Sequence, residues 1–238
     1  MTEAKTDVKQ RSYMNITNDS VTDYLEELYR PLNEELGKLR EDAEKHQIPI
    51  IVKETEALLL NLLRIKQPRR ILEIGTAVGY SAICFAAALP EAEIVSLEHS
   101  EKMYKAAIAN IERFGFSERI RIIRKDALES LKEIKNSMED AGTEGFDLVF
   151  IDAAKSYYRK FWDHCVPLCR KDAVILSDNV LLKARTASDE YITERRQKTS
   201  VRRAGIHPIY FKPGLCGNRG AAAGGRRRGQ RADQRAKG

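Results

Sequence analysis

The chain of 238 residues lacks the features that mark membrane and secreted proteins. It has no run of eighteen apolar residues, so no membrane-spanning helix is expected. The opening MTEAKTDVKQRSYMN has no apolar core of the kind a secretory leader needs. Cytoplasmic residence and no membrane partner are the expectations. Cysteine is sparse: Cys84, Cys165, Cys169 and Cys216, with no CxxC spacing. Cys165 and Cys169 lie four apart in a stretch expected to be helical. They read as reduced, partly buried thiols. The body of the chain also lacks net charge. Seven cations between Arg219 and Lys237 face only Asp233, which accounts for the whole formal charge of +6. The overall basicity therefore describes the tail and not the folded part.

What remains is an ordinary globular composition, 42% hydrophobic, long enough for one α/β domain. Residues 1–19 are polar and expected to be flexible. Amphipathic helices are expected over roughly 20–30 and 32–46, the second starting at Pro31, and another within IPIIVKETEALLLNLLRIK. From residue 69 the pattern alternates. RRILEIG, AEIVSLE, RIRIIRK, FDLVFID and AVILSDN read as buried strands. SAICFAAAL, EKMYKAAIANIERF, LESLKEIKNSMED and YYRKFWDHCVPLC read as helices between them. Such alternation implies a doubly wound, mostly parallel sheet.

Ligands in such sheets bind beyond the strand C-termini. Asp152 ends one strand-like run and Asp178-Asn179 another, so adjacent strands would bring three oxygen donors together. That set suits a hard cation such as Mg²⁺ rather than zinc. Lys155, three residues past Asp152, would act on whatever the metal holds. Read singly, Asp152 could equally cap a helix and Lys155 be a solvated lysine. The turn in ILEIGTAVGYSA has Gly75 and Gly79 in GxxxG spacing, not the GxGxxG of a dinucleotide site. Glu73 beside that turn would repel a pyrophosphate and suit an ammonium or sulfonium. Glu98 stands where a ribose hydroxyl would bind, and Asp126-Ala127 would rim an adenine. His99 reads as an adenine neighbour or an ordinary surface residue. Phe161 and Trp162 read as core.

The segments ILEIGTAVGYSA, VSLEHS, KDAL, FDLVFIDAAKSYY and ILSDNVLL occur in order and resemble the metal-dependent S-adenosylmethionine O-methyltransferases of the catechol and caffeoyl-CoA type. The resemblance covers about residues 20–203 and implies a Rossmann-like class I methyltransferase fold. It further implies that Ile51, Glu73, Gly75 and Ser81 line the methionine part of S-adenosylmethionine. Glu98 would hold the ribose, and Asp126 and Ala127 the adenine. Asp152, Asp178 and Asn179 would bind Mg²⁺, Asp152 also bordering the cofactor, and Lys155 would be the base. The DNVL…DEYITERRQKT stretch is similar to bacterial tRNA 5-hydroxyuridine methyltransferases. For a tRNA partner, the cations from Lys183 to Arg203 are candidates for phosphate contacts, with Arg185 the foremost substrate residue; a solvated helix balanced by Asp189, Glu190 and Glu194 is the alternative.

The resemblance implies two further strands and a homodimer, yet residues 204–238 offer nothing but IHPIYF as a strand remnant. The expectation is a methyltransferase domain over 20–211 and a disordered Arg/Gly/Ala tail over 212–238. An altered reading frame replacing the native end, or a basic tail for RNA, would account for the tail. Three functions stand: methylation of tRNA 5-hydroxyuridine, methylation of a small catechol-like molecule, and non-catalytic RNA binding.

Overall fold

The computed structural model describes residues 19–180. Arg185, the other cations from Lys183 to Arg203, the N-terminal residues expected to be flexible and the basic tail lie outside the described residues. Three helices lead into the sheet: α1 (Asp19–Leu28), α2 (Glu34–Lys45) and α3 (Lys53–Lys66). Then come β1 (Arg70–Ile74), α4 (Tyr80–Ala88), β2 (Glu93–Glu98), α5 (Glu101–Arg113) and β3 (Ile120–Arg124). The described part continues with α6 (Ala127–Ala141), β4 (Phe146–Ile151), α7 (Tyr158–Cys165) and β5 (Cys169–Ser177). Short 3₁₀ turns cover Lys155–Tyr157 and Val166–Leu168. Among the described residues no helix is long and apolar enough to cross a membrane.

The five strands are parallel, in the order β3-β2-β1-β4-β5. Helices cover both faces, which is why β4 is buried along its whole length and reads as an apolar run rather than an alternating one. Alternate residues serve opposite cores. Ile71, Ile94, Leu148 and Phe150 pack with α2, α3, α4 and α5. Leu72, Ile74, Leu97, Val149 and Ile151 pack with α6 and α7. Phe161 and Trp162 are buried, as their helical spacing predicts.

At the N-terminal ends of the strands, Asp147 acts as a tie. Its Oδ2 accepts the backbone N–H groups of Arg69 and Arg70 at 2.9 Å each, and its Oδ1 accepts from the Arg170 guanidinium at 2.9 Å.

Two local expectations need correction. The second helix starts at Glu34, not at Pro31, because the Asn33 side chain caps it by accepting from Leu36 N–H at 2.8 Å. Cys165 and Cys169 do not share a helix. The helix ends at Cys165, a 3₁₀ turn containing Pro167 intervenes, and Cys169 opens β5. The Cys169 thiol donates to the Cys165 carbonyl, which leaves the pair as packed thiols.

Candidate active site

The strand order reverses direction between β1 and β4, and the crevice at such a reversal is where open α/β sheets hold ligands. A cavity of about 680 Å³ lies there. Its lining contains Ile51, Gly75, Ser81, Glu98, Asp126, Ala127, Asp152, Lys155, Asp178 and Asn179, so nearly all the residues singled out from the sequence meet in one place. His99 also lines it.

The turn after β1 is built for close approach. Gly75 has φ +98°, and a Cβ there would lie 2.2 Å from the Asp152 carbonyl oxygen. The Gly75 N–H donates to Leu97 O at 3.0 Å, while Asp152 N–H donates to Ile74 O at 2.9 Å. The turn therefore touches β2 on one side and β4 on the other. Glu98 clamps it further. Its carboxylate accepts from the N–H of Ala77 at 2.9 Å and of Ser100 at 2.7 Å. A carboxylate has about four acceptor positions, so capacity remains for a hydroxyl pair. Asp126 is the N-cap of α6, its Oδ1 accepting from Leu128 and Glu129 N–H. The helix-cap role considered for Asp152 thus falls to Asp126, at the opposite side of the cavity.

Glu73 stands apart from the expectation. It is fully buried beneath the cavity floor and is not among the lining residues. Its neighbours explain why: Ser81 donates to one carboxylate oxygen and Ser96 to the other, and Thr76 lies against Ser96. Glu73 thus holds Ser81, which does reach the cavity. Burial pushes the Glu73 carboxyl up to about 7, against the pull of the two serine hydroxyls. An acid whose folded pKa is raised binds more protons folded than unfolded, so its contribution favours folding below about pH 4.5 and is lost as pH rises toward 7. Glu73→Gln should therefore flatten the loss of stability between pH 4.5 and 7. The expected gain above pH 7 is about 3 kcal/mol for the group by itself, reduced by whatever the serine hydrogen bonds supply. Denaturant melts of both proteins across that range check it; parallel pH profiles would show that Glu73 stays ionised.

The other end of the cavity is reactive in character. Lys155 Nζ lies 2.5 Å from Asp152 Oδ1, both side chains about one quarter exposed. Ile151 and Ser177 are register partners on β4 and β5, so Asp152 and Asp178 leave the sheet side by side. Asp178 N–H donates to Ile151 O at 3.0 Å, and the Tyr158 hydroxyl donates to Asp178 O at 2.7 Å. Asn179 takes a left-handed conformation, φ 54°, with its N–H on Asp178 Oδ1 at 2.7 Å. Among the described residues no group of three or more His, Cys, Asp or Glu could hold a metal ion. The set at this end is two carboxylates and one amide. All are oxygen donors, which fits a hard, partly hydrated cation and not a soft one.

Two features escaped the sequence reading. Tyr157 lines the cavity two residues past Lys155 and is 43% exposed. Its ring stacks on buried Phe161 at 6.0 Å and 29°. Behind the opposite end, a buried polar network joins Arg40, Glu56 and Tyr80. The first was one of two adjacent tyrosines with no pattern to mark it. The second links residues up to forty positions apart, which periodicity cannot show.

Residues 26–204 match the O-methyltransferase family. A catechol O-methyltransferase of Niastella koreensis is 33% identical over 154 residues, 64% of this chain and 67% of that protein. The Aspergillus flavus O-methyltransferase imqG is 33% identical over 124 residues, 52% of this chain and 50% of that protein. The chain thus spans between half and two thirds of the length of these relatives. The crystal structure of a Bacillus cereus O-methyltransferase in complex with SAH superposes with a TM-score of 0.67 at 30% identity, covering 82% of this chain and 86% of that one. On the extent of the family match, three quarters of its length, the chain belongs to the O-methyltransferase family.

Proposed function

We propose that this protein transfers a methyl group from S-adenosylmethionine to one oxygen of a vicinal oxygen pair, assisted by Mg²⁺. The observation that carries the reading is the Lys155–Asp152 ion pair beside Asp178 and Asn179, at one end of a cavity whose other end presents Glu98 and Asp126. The SAH held by the Bacillus cereus relative supports the cofactor assignment.

The cofactor supplies a methyl group already activated on a sulfonium. Asp152, Asp178 and Asn179 would hold Mg²⁺, whose charge lowers the pKa of a hydroxyl bound to it. The chain must align the partners and manage one proton. Gly75 lets the cofactor backbone approach the sheet, Ser81 and Ile51 bound its methionine part, and Glu98 accepts from its ribose hydroxyls. In its neutral amine form, Lys155 Nζ is the atom placed to take the acceptor's hydroxyl proton. The acceptor oxygen then bonds to the methyl carbon as the carbon–sulfur bond breaks, and neutral thioether leaves. In-line alignment supplies much of the acceleration in such a displacement.

For the acceptor we propose 5-hydroxyuridine at the tRNA wobble position, whose O4 and O5 are neighbours. The DNVL…DEYITERRQKT sequence and the cations from Lys183 to Arg203 support it, with Arg185 the foremost among them. A small catechol offers the same oxygen geometry, and the name of the Niastella koreensis relative supports that second reading. The test is transfer of labelled methyl to tRNA lacking the modification and to catechol, each with Mg²⁺ and with EDTA. Chelator-sensitive label in 5-methoxyuridine supports the tRNA reading. Label in catechol alone transfers the assignment to small molecules, and label that persists in EDTA removes the metal from the reaction.

Either acceptor is a flat ring, and Tyr157 is the exposed ring beside Lys155. Tyr157→Ala should raise the acceptor KM about tenfold, the scale of one lost base–aromatic stack. Tyr157→Phe should not, and cofactor affinity should hold in both. An unchanged KM in the alanine variant would place the acceptor elsewhere.

A further inference from the structure

We propose that Arg40, remote from the reacting atoms, is a positioning residue that sets cofactor affinity by holding the 49–52 segment over the cavity; this rests on the cofactor reading above. Pro49, Ile50, Ile51 and Val52 form one wall of the cavity. Val52 is the N-cap of α3: its carbonyl accepts from Glu56 N–H at 2.9 Å, and no side-chain cap hydrogen bond adds to that tie.

Arg40 supplies the anchor from α2. Its Nη2 donates to the Ile51 carbonyl at 2.8 Å and to Glu56 Oε2 at 2.6 Å. Its Nη1 donates to Glu44 at 2.9 Å, and its Nε lies 3.1 Å from the hydroxyls of Tyr29 and Tyr80. The guanidinium carbon sits 5.3 Å and 4.7 Å from the centroids of those two rings. Arg40, Glu56 and Tyr80 are each at most 3% exposed. Tyr80 is itself a cavity residue, the first of α4 after Gly79, and its hydroxyl donates to Glu56 at 2.7 Å.

One planar fork therefore grips the wall through Ile51 and the floor through Tyr80. Buried ion pairs of this kind add little net stability and are better suited to fixing geometry. Only a guanidinium spans these acceptors together, because an ammonium concentrates its donors at one point. Without Arg40 the buried Ile51 carbonyl loses a partner, and the wall can leave its place without the sheet unfolding.

The test compares wild type with Arg40→Lys, Tyr80→Phe and, as a control for lost stability, Leu131→Ala, which weakens the core on the opposite face of the sheet. Calorimetry reads S-adenosylmethionine binding, steady-state kinetics reads turnover, and hydrogen exchange reads the amides of residues 50–53 in ligand-free protein. Arg40→Lys should weaken S-adenosylmethionine binding about tenfold, with kcat at saturating cofactor and the acceptor KM within about twofold. The 50–53 amides should exchange faster while those of β1 and β4 do not. Tyr80→Phe should move in the same direction by less, and it carries the test if Arg40→Lys does not fold. Leu131→Ala should lower the melting temperature and leave cofactor affinity alone. Wild-type affinity and wild-type exchange in both network variants would overturn the proposal. A wild-type protein that binds no S-adenosylmethionine overturns the cofactor reading instead, and the exchange rates then decide whether Arg40 holds the wall.

Discussion

Lys155→Met should lower kcat by about a hundred- to ten-thousand-fold, the range of a lost general base, while S-adenosylmethionine binds within about twofold of wild type. Methionine keeps the length and the apolar stem of lysine, so the cavity wall near Tyr157 and Tyr158 retains its shape. What disappears is the Nζ that lies 2.5 Å from Asp152 Oδ1. Asp152 stays about one quarter exposed, so losing its partner leaves it hydrated and the fold intact. Lys155→Arg separates proton transfer from charge. Arginine restores the cation but does not give up its proton at working pH, so it should remain as slow as methionine. An active arginine variant would reassign Lys155 to electrostatic support, and a methionine variant within tenfold of wild type would remove it from the chemistry. Single-turnover kinetics under saturating cofactor reads this directly.

Gly75→Ala should be the most damaging single methyl group in the described part of the chain. The residue sits at φ +98°, where an L side chain is strained by about 1–2 kcal/mol. The added Cβ would also lie 2.2 Å from the Asp152 carbonyl oxygen and 2.9 Å from its carbon. Those are backbone atoms of a central strand end, so they cannot swing away as a flexible side chain would. Overpacking of this kind adds about 1–3 kcal/mol. Together the two effects predict a melting temperature lower by about 4–20 °C. The kinetic effect should be larger still. Relief of the clash pushes Asp152 off its strand, and a displacement near 1 Å in a reacting constellation can lower the rate about a hundredfold. A variant that melts like wild type and turns over at more than a tenth of its rate would show that the two strand ends separate freely.

The sheet was legible because its strands are covered on both faces. FDLVFI becomes a strand with no exposed position, as a parallel sheet between helix layers requires. The strand ends were legible for the same reason: a polar residue that stops such a run marks the crevice, and Glu98, Asp126, Asp152 and Asp178 all line one cavity. What the sequence concealed depends on the third dimension. Glu73 reads as a cofactor residue from its place beside the turn, yet its carboxylate turns toward Ser81 and Ser96, the second of which comes from another strand. Arg40 lies in EELGKLREDAEK, a helix whose charges look like any solvated face. Its burial follows from two tyrosines and a glutamate supplied by α3, α4 and the chain after α1, and no local pattern encodes that meeting. The helix start moved from Pro31 to Glu34 because a side-chain cap overrides a proline's mere tolerance for the first turn.

Strand β4 carries Asp147 and is followed at once by Asp152, two aspartates with opposite duties separated only by Leu148–Ile151. Asp147 accepts three hydrogen bonds from Arg69, Arg70 and Arg170 and faces away from the cavity, whereas Asp152 meets Lys155 at its mouth. Engineering for heat tolerance can therefore work around the Asp147 pole, where a tighter tie leaves substrate choice untouched. Engineering for new acceptors belongs at the other pole, where each change draws on the margin that the first pole provides.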